Sequence, residues 1–120
     1  MTKPGKWALL LFLALSSPAA LAAEDTALHN PFTGRADIAA EGRTLFNVHC
    51  SHCHGPNAFQ GLKRRDLRRL TRRYKARVAN VFYQTATNGR PDKGMPSWKG
   101  VLEDETLWKI YTFLETVQKK

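Results

Sequence analysis

With 120 residues the chain has room for one domain, and its formal charge of +9 comes from 19 lysines and arginines against 10 acidic residues. Its two cysteines stand three positions apart, so a bridge between them would close a very small loop, which excludes a scaffold built on disulfides. A chain this short forms only a modest core, and a bulky group at its centre would have to contribute much of the buried apolar surface.

The N-terminal residues 1–22 read as a secretory signal. Lys3 and Lys6 precede the apolar run Trp7 to Leu15, and Ser16-Ser17-Pro18 leads to the small-x-small site Ala20-Leu21-Ala22. That run falls well short of the roughly 20 apolar residues that span a bilayer, and no later stretch is long enough either. Cleavage after Ala22 should therefore leave an exported chain of 98 residues without an integral membrane segment. Residues 23–35 have no apolar period and contain Asn30-Pro31 and Gly34, the composition of an irregular lead-in to one domain over 36–120.

From Ala36 the pattern turns helical, with Ile38, Gly42, Leu45, Phe46 and His49 recurring at spacings of three and four and Asp37 and Glu41 in the first turns. Gly42 is costly there, by about 1 kcal/mol relative to alanine, and predicts a close crossing by another helix. Residues 55–61 form a loop. Leu67, Leu70, Tyr74, Val78 and Val81 then carry a helical stripe with a break near Thr71. Asn88-Gly89-Arg90-Pro91 opens a second loop, too rich in glycine and proline for regular structure, with Met95 in its middle. The last helix, from about Glu103 to Val117, presents Leu107, Ile110, Tyr111, Leu114 and Val117 on one face. No strand alternation occurs, so the predicted class is all-α.

The segment Val48 to Gly55, VHCSHCHG, holds both cysteines and the histidines His49, His52 and His54. Four chemistries compete for it. In a c-type haem attachment, Cys50 and Cys53 bond to the haem vinyl groups and His54 becomes an axial ligand. Two intervening residues set both sulfurs along one porphyrin edge, and the next histidine lies beneath the iron. A zinc site would draw on Cys50, Cys53 and two of the three histidines, but structural zinc commonly takes two separated ligand pairs, and the remaining histidine, His29, lies in the lead-in. A thioredoxin-like dithiol expects strands around it. A short-loop disulfide is the plainest alternative. The export signal and a small helical chain that lacks a centre favour haem.

Haem iron bound by one histidine needs its sixth position explained. After signal removal Met95 is the one methionine left, and a thioether ligand favours reduced iron and leaves no vacancy for oxygen or peroxide. A filled coordination sphere means electron transfer rather than bond-making at the metal. His29 is the rival ligand, and flexible core filler is the other role open to Met95.

Three segments in this order, AEGRTLFNVHCSHCHG, NGRPDKGMPSWKGVL and DETLWKIYTFL, resemble the class I cytochromes c, in particular the small monohaem cytochromes of the bacterial periplasm. The resemblance runs from about Ala36 to Val117. It implies three to five helices wrapped around one covalently attached haem, with Gly42 and Phe46 of the first helix meeting the Leu107, Tyr111 and Leu114 face of the last. It implies haem c held by Cys50 and Cys53, its iron ligated by His54 and Met95, the Pro56 carbonyl on the outer nitrogen of His54, and Arg90 and Trp98 at the haem propionates. It also implies a periplasmic electron carrier, not an enzyme, cycling between Fe(III) and Fe(II) as a monomer or in transient complexes. The GMPSWKGVL loop is similar to those of carriers paired with quinoprotein alcohol dehydrogenases, with an oxidase or another cytochrome as acceptor. In departure from many relatives, the segment after CHG is short and Glu103 stands where a serine or threonine often caps the last helix.

Nine of the fifteen residues from Lys63 to Arg77 are basic and one, Asp66, is acidic. In an exported haem protein this run predicts steering towards a redox protein with an acidic docking surface rather than nucleic acid, with a solvated face of no specific role as the plain alternative. Two further readings are a dedicated cytochrome subunit of a larger oxidoreductase complex and, from a different class, a zinc-stabilised basic binding module.

Overall fold

The computed structural model describes residues 2–5 and 27–120, so nearly all of the predicted signal lies outside the described residues. Five α-helices follow one another there: α1 (Ala36–His49), α2 (Ser51–His54), α3 (Leu70–Tyr74), α4 (Val78–Asn88) and α5 (Asp104–Thr116), joined by short 3-10 turns. The only paired extended backbone among the described residues is an isolated bridge between Arg90 and Met95. The predicted all-α class is the class observed.

The fold is organised by the crossing of α1 and α5. Ala39, Gly42 and Phe46, three and four apart, put the buried stripe of α1 against α5. A Cβ at Gly42 would fall on the Lys109 carbonyl, 2.6 Å from its carbon and 3.2 Å from the Ile110 nitrogen, so only glycine lets the two backbones approach this closely. One turn on, Phe46 meets Phe113 with ring centroids 5.4 Å apart. The predicted glycine-to-aromatic crossing is thus present, but Gly42 faces Lys109 and Ile110, and Phe46 faces Phe113 as well as Leu114. Leu107 instead lines a cavity, and Tyr111 packs on Phe82 of α4, 4.9 Å away.

Phe46, Ile110 and Leu114 are almost wholly buried, each stabilising by about 1.5–3 kcal/mol. Lys109 bonds Glu41 across the crossing at 2.9 Å, but with Glu41 exposed the pair is screened by solvent and adds little. Apolar contact therefore holds the crossing. α5 is buried on more sides than its stripe announced, since Trp108, Thr112 and Phe113 are buried too. Trp108 stacks on Tyr83 of α4 at 5.4 Å, and the Thr112 hydroxyl donates to the Trp108 carbonyl and accepts from Asn30 Nδ2 at 2.9 Å. The described part of the lead-in is consequently tied down, with Leu28 N–H on Asn80 Oδ1 and Asn30 Nδ2 also on Glu115.

The predicted break at Thr71 falls instead at Lys75. A 3-10 turn over Leu67–Arg69 runs into α3, and Lys75, at φ +53°, closes α3 by donating its N–H to the Thr71 carbonyl. The physical origin of the early turn is Asp66, whose carboxylate accepts from the Arg68 N–H and caps it.

Candidate haem site

The CxxCH segment begins where α1 ends. The Cys50 N–H still donates to Phe46 O at 2.8 Å, and the His54 N–H returns to Cys50 O at 3.0 Å, so one short helical turn carries both thiols and the histidine. Gly55 turns the chain at φ +79°, and a Cβ there would meet the Phe59 carbonyl. The next residue but one, Asn57, takes a left-handed conformation at φ +55°, a region asparagine tolerates. Its side chain accepts from Arg43 Nε at 2.7 Å and Asn47 Nδ2 at 2.9 Å, which fastens the turn to α1.

Beside this turn lies an apolar cavity with about 810 Å³ of space not filled by protein, open to solvent. Cys50, His54 and Met95 line it together with Phe46, Leu70, Phe82 and other apolar side chains, and Arg64, Arg73 and Arg90 stand on its wall. Cys53, half-buried one turn from Cys50, is not part of the lining, and His29 is exposed on the lead-in and does not reach it. Burial, together with the neighbouring Cys53, pushes the Cys50 thiol up to about 11, the reverse of what a reactive dithiol requires.

His54 Nδ1 lies 2.9 Å from the Arg65 carbonyl. A carbonyl only accepts, so the contact places a proton on Nδ1, and in the neutral ring that leaves the lone pair on Nε2, the tautomer of a metal-ligating imidazole. The predicted partner was Pro56, but the Pro56 carbonyl accepts from Phe59 N–H at 3.0 Å in a 3-10 turn. Nothing in a sequence reveals which backbone carbonyl a side chain will meet across eleven residues.

Met95 arrives from the loop after α4. Arg90 and Met95 exchange N–H···O bonds of 2.9 and 3.0 Å, while Trp98 and Lys99 N–H groups return to the Ala86 and Thr87 carbonyls. The loop therefore satisfies the exposed C-terminal end of α4 and is held by it. Gly89, at φ +70°, sits beneath: a Cβ there would lie 2.6 Å from Pro96 C and Ser97 N.

Three arginines on an apolar wall suit a ligand that is apolar with acidic groups at one edge. Their field is felt by Tyr74: burial pushes its phenol up, but hydrogen bonds and charge from Arg73 and Arg90 outweigh this and lower it. Arg90 and Trp98, expected at the haem propionates, both line the cavity, and Arg64 and Arg73 join them unforeseen. The other histidines diverge, His52 into solvent and His49 edge-on to Trp98 at 5.7 Å. Among the described residues no group of three or more His, Cys, Asp or Glu side chains could hold a metal ion, which leaves the zinc reading without a site.

A family model described as cytochrome c oxidase, cbb3-type, subunit III matches residues 37–114. The chain belongs to this family of c-type cytochromes. Neither a curated protein nor a solved structure matches it. The residues fit the cofactor of such a cytochrome, haem c with its iron. The Cys50–His54 run has the attachment spacing, the Arg65 carbonyl takes up Nδ1 of His54 so that Nε2 would be the nitrogen offered to iron, and the cavity joins an apolar wall to cations. Among the described residues no helix of this cytochrome is long and apolar enough to cross a membrane.

Proposed function

We propose that this cytochrome is an exported one-electron carrier of the periplasm, released from the signal 1–22, with haem c attached through Cys50 and Cys53 and the iron held between His54 and Met95. The haem, when bound, supplies a one-electron Fe(III)/Fe(II) couple. The protein's own part is to anchor, ligate and shield. Its thiols tether the group, the Arg65 carbonyl fixes the His54 ring, and the fastened loop presents Met95. Arg64, Arg73 and Arg90 offset the propionates. With His54 and Met95 both holding the iron, no position would remain for substrate chemistry there.

One observation carries this reading: a histidine with its Nδ1 proton committed to a carbonyl and a methionine from a braced loop line the same apolar cavity. Visible spectra of the oxidised and reduced protein, with its intact mass, test it. A mass above that of the polypeptide and a weak red-region sulfur-to-iron band are expected. A colourless protein of bare polypeptide mass sinks the proposal, and a coloured protein without that band removes Met95 from the iron.

The redox partners in this reading carry acidic docking surfaces, with a quinoprotein dehydrogenase as donor and an oxidase or another cytochrome as acceptor. The family description, which names an oxidase subunit, favours a second reading, a dedicated subunit of a larger oxidoreductase complex. Gel filtration of native extract separates them: elution near the monomer mass supports the shuttle, and exclusive co-elution with an enzyme supports the subunit.

A further inference from the structure

The carbonyl that orients His54 belongs to a loop. A carbonyl on a loose loop would orient a ring poorly, so something must hold Arg65, and two sets of contacts do. Asp66, its neighbour, is buried and accepts from Arg68 N–H at 3.1 Å, Arg68 Nε at 2.8 Å and Arg68 Nη2 at 3.2 Å. Arg69 Nε and Lys119 Nζ approach the same carboxylate at 3.4 and 3.7 Å. The second set comes from the end of the chain. Gln118 Nε2 donates to the Leu67 and Leu114 carbonyls at 2.9 and 2.8 Å, Gln118 Oε1 accepts from Thr71 N–H at 3.0 Å, and Lys119 N–H donates to the Arg68 carbonyl at 2.7 Å. The tail thus grips both sides of the Leu67–Arg69 turn and ties it to the last turn of α5.

We propose that Asp66, Gln118 and Lys119 form a clamp that keeps the Arg65 carbonyl on His54, so that the C-terminal tail sets the donor strength of the axial imidazole and with it the reduction potential. The inference rests on the haem reading above. Pulling on the Nδ1 proton makes the imidazole a stronger donor, and a stronger donor favours the higher-charged Fe(III). A loosened clamp therefore raises the potential. Asp66, Gln118 and Lys119 are positioning residues, since none touches the histidine.

The test compares the purified haem-loaded protein with Gln118→Ala, with Asp66→Asn and with a chain ending at Val117; Lys120→Ala, which removes an exposed side chain, is the control. Reduction potential and exchange of the His54 Nδ1 proton by NMR are the readouts. The three clamp variants should shift the redox equilibrium towards the reduced form by about threefold to tenfold, tenfold being 59 mV for one electron, and should speed that exchange. Lys120→Ala should match the parent. Should Asp66→Asn fail to fold, Gln118→Ala and the shortened chain decide the matter. Coloured, folded clamp variants with parental potential and exchange, even at lowered thermal stability, overturn the clamp. A colourless parent protein overturns the haem reading instead.

Discussion

Replacing Gly42 with alanine sets two effects of opposite sign against each other. Helix propensity alone favours alanine inside α1 by about 1 kcal/mol. The crossing opposes it, because the new Cβ would fall on the Lys109 carbonyl, with that carbon 2.6 Å away and the Ile110 nitrogen 3.2 Å away. These are backbone atoms of a helix buried on several sides, so no side-chain rotation relieves the overlap and α1 must lift away from α5. Overpacking of this kind costs about 1–3 kcal/mol, and an unyielding backbone belongs at the upper end. Separation also weakens the Phe46–Phe113 contact, an aromatic pair worth about 0.5–1.5 kcal/mol beyond its buried area. The net expectation for Gly42→Ala is a loss of about 2 kcal/mol or more, lowering the melting temperature by about 10 °C in a domain of this size. Denaturant melts of the haem-loaded protein followed by far-ultraviolet circular dichroism measure it. Gly61→Ala is the control, since a Cβ there meets nothing within 4 Å. A Gly42→Ala protein as stable as the parent, or more so, would refute the close crossing.

Acid stability should depend on Asp66. Burial pushes its carboxyl up, but the Arg68 hydrogen bonds and the charges of Arg68 and Lys119 outweigh this and hold it at about 2. A carboxylate depressed from about 3.9 contributes about 2 kcal/mol above its unfolded pKa and loses it as pH falls through the folded one. The stability gap between the parent and Asp66→Asn should therefore close between about pH 4 and pH 2, and a gap constant through that window contradicts the pairing. Gly89→Ala forces the Met95 loop off its support, so the red-region band should weaken and carbon monoxide should bind the reduced protein while helix content stays parental. Arg90→Leu removes a cation from the cavity wall. The reduction potential should fall and the Tyr74 phenol should titrate at higher pH by ultraviolet absorption; an unmoved Tyr74 would show that the arginines do not share one field.

Much of this was legible in the sequence because it is periodic or local. The α1 stripe, the misplaced Gly42 and the CxxCH spacing each point to their structural role without help from the rest of the chain, as does the glycine-bounded loop around Met95. What escaped depends on contacts between distant segments. One apolar stripe was visible on α5, yet Trp108, Thr112 and Phe113 are buried as well, because Tyr83 of α4, Asn30 of the lead-in and Phe46 of α1 cover sides that a helical wheel leaves blank. Lys75 carries no breaker signature, yet it takes φ +53° and ends α3. The His54 partner is a main-chain oxygen, which has no letter of its own. Gln118 and Lys119 carry no signal in the sequence, because their partners are main-chain atoms of a turn some fifty residues away.

The basic run shows why composition alone overstates electrostatic steering. Of its nine cations, Arg68 and Arg69 pair with buried Asp66, Arg64 and Arg73 line the cavity, and Arg65, whose main-chain carbonyl meets His54, keeps a half-buried side chain. Lys63, Arg72, Lys75 and Arg77 remain, all exposed, and the run's one acidic side chain faces inward. Exposed charges act over a Debye length of about 8 Å at physiological salt, so these four can speed encounter with an acidic partner without holding the fold. Arg72→Ala with Arg77→Ala should leave melting and potential parental and flatten the salt dependence of electron-transfer rates to a physiological partner. Arg68→Ala should do the reverse, costing stability because the buried Asp66 carboxylate loses its two side-chain hydrogen bonds. If both substitutions altered the salt dependence equally and spared stability, the run would be one undivided charged face and the division of labour argued from Asp66 would be wrong.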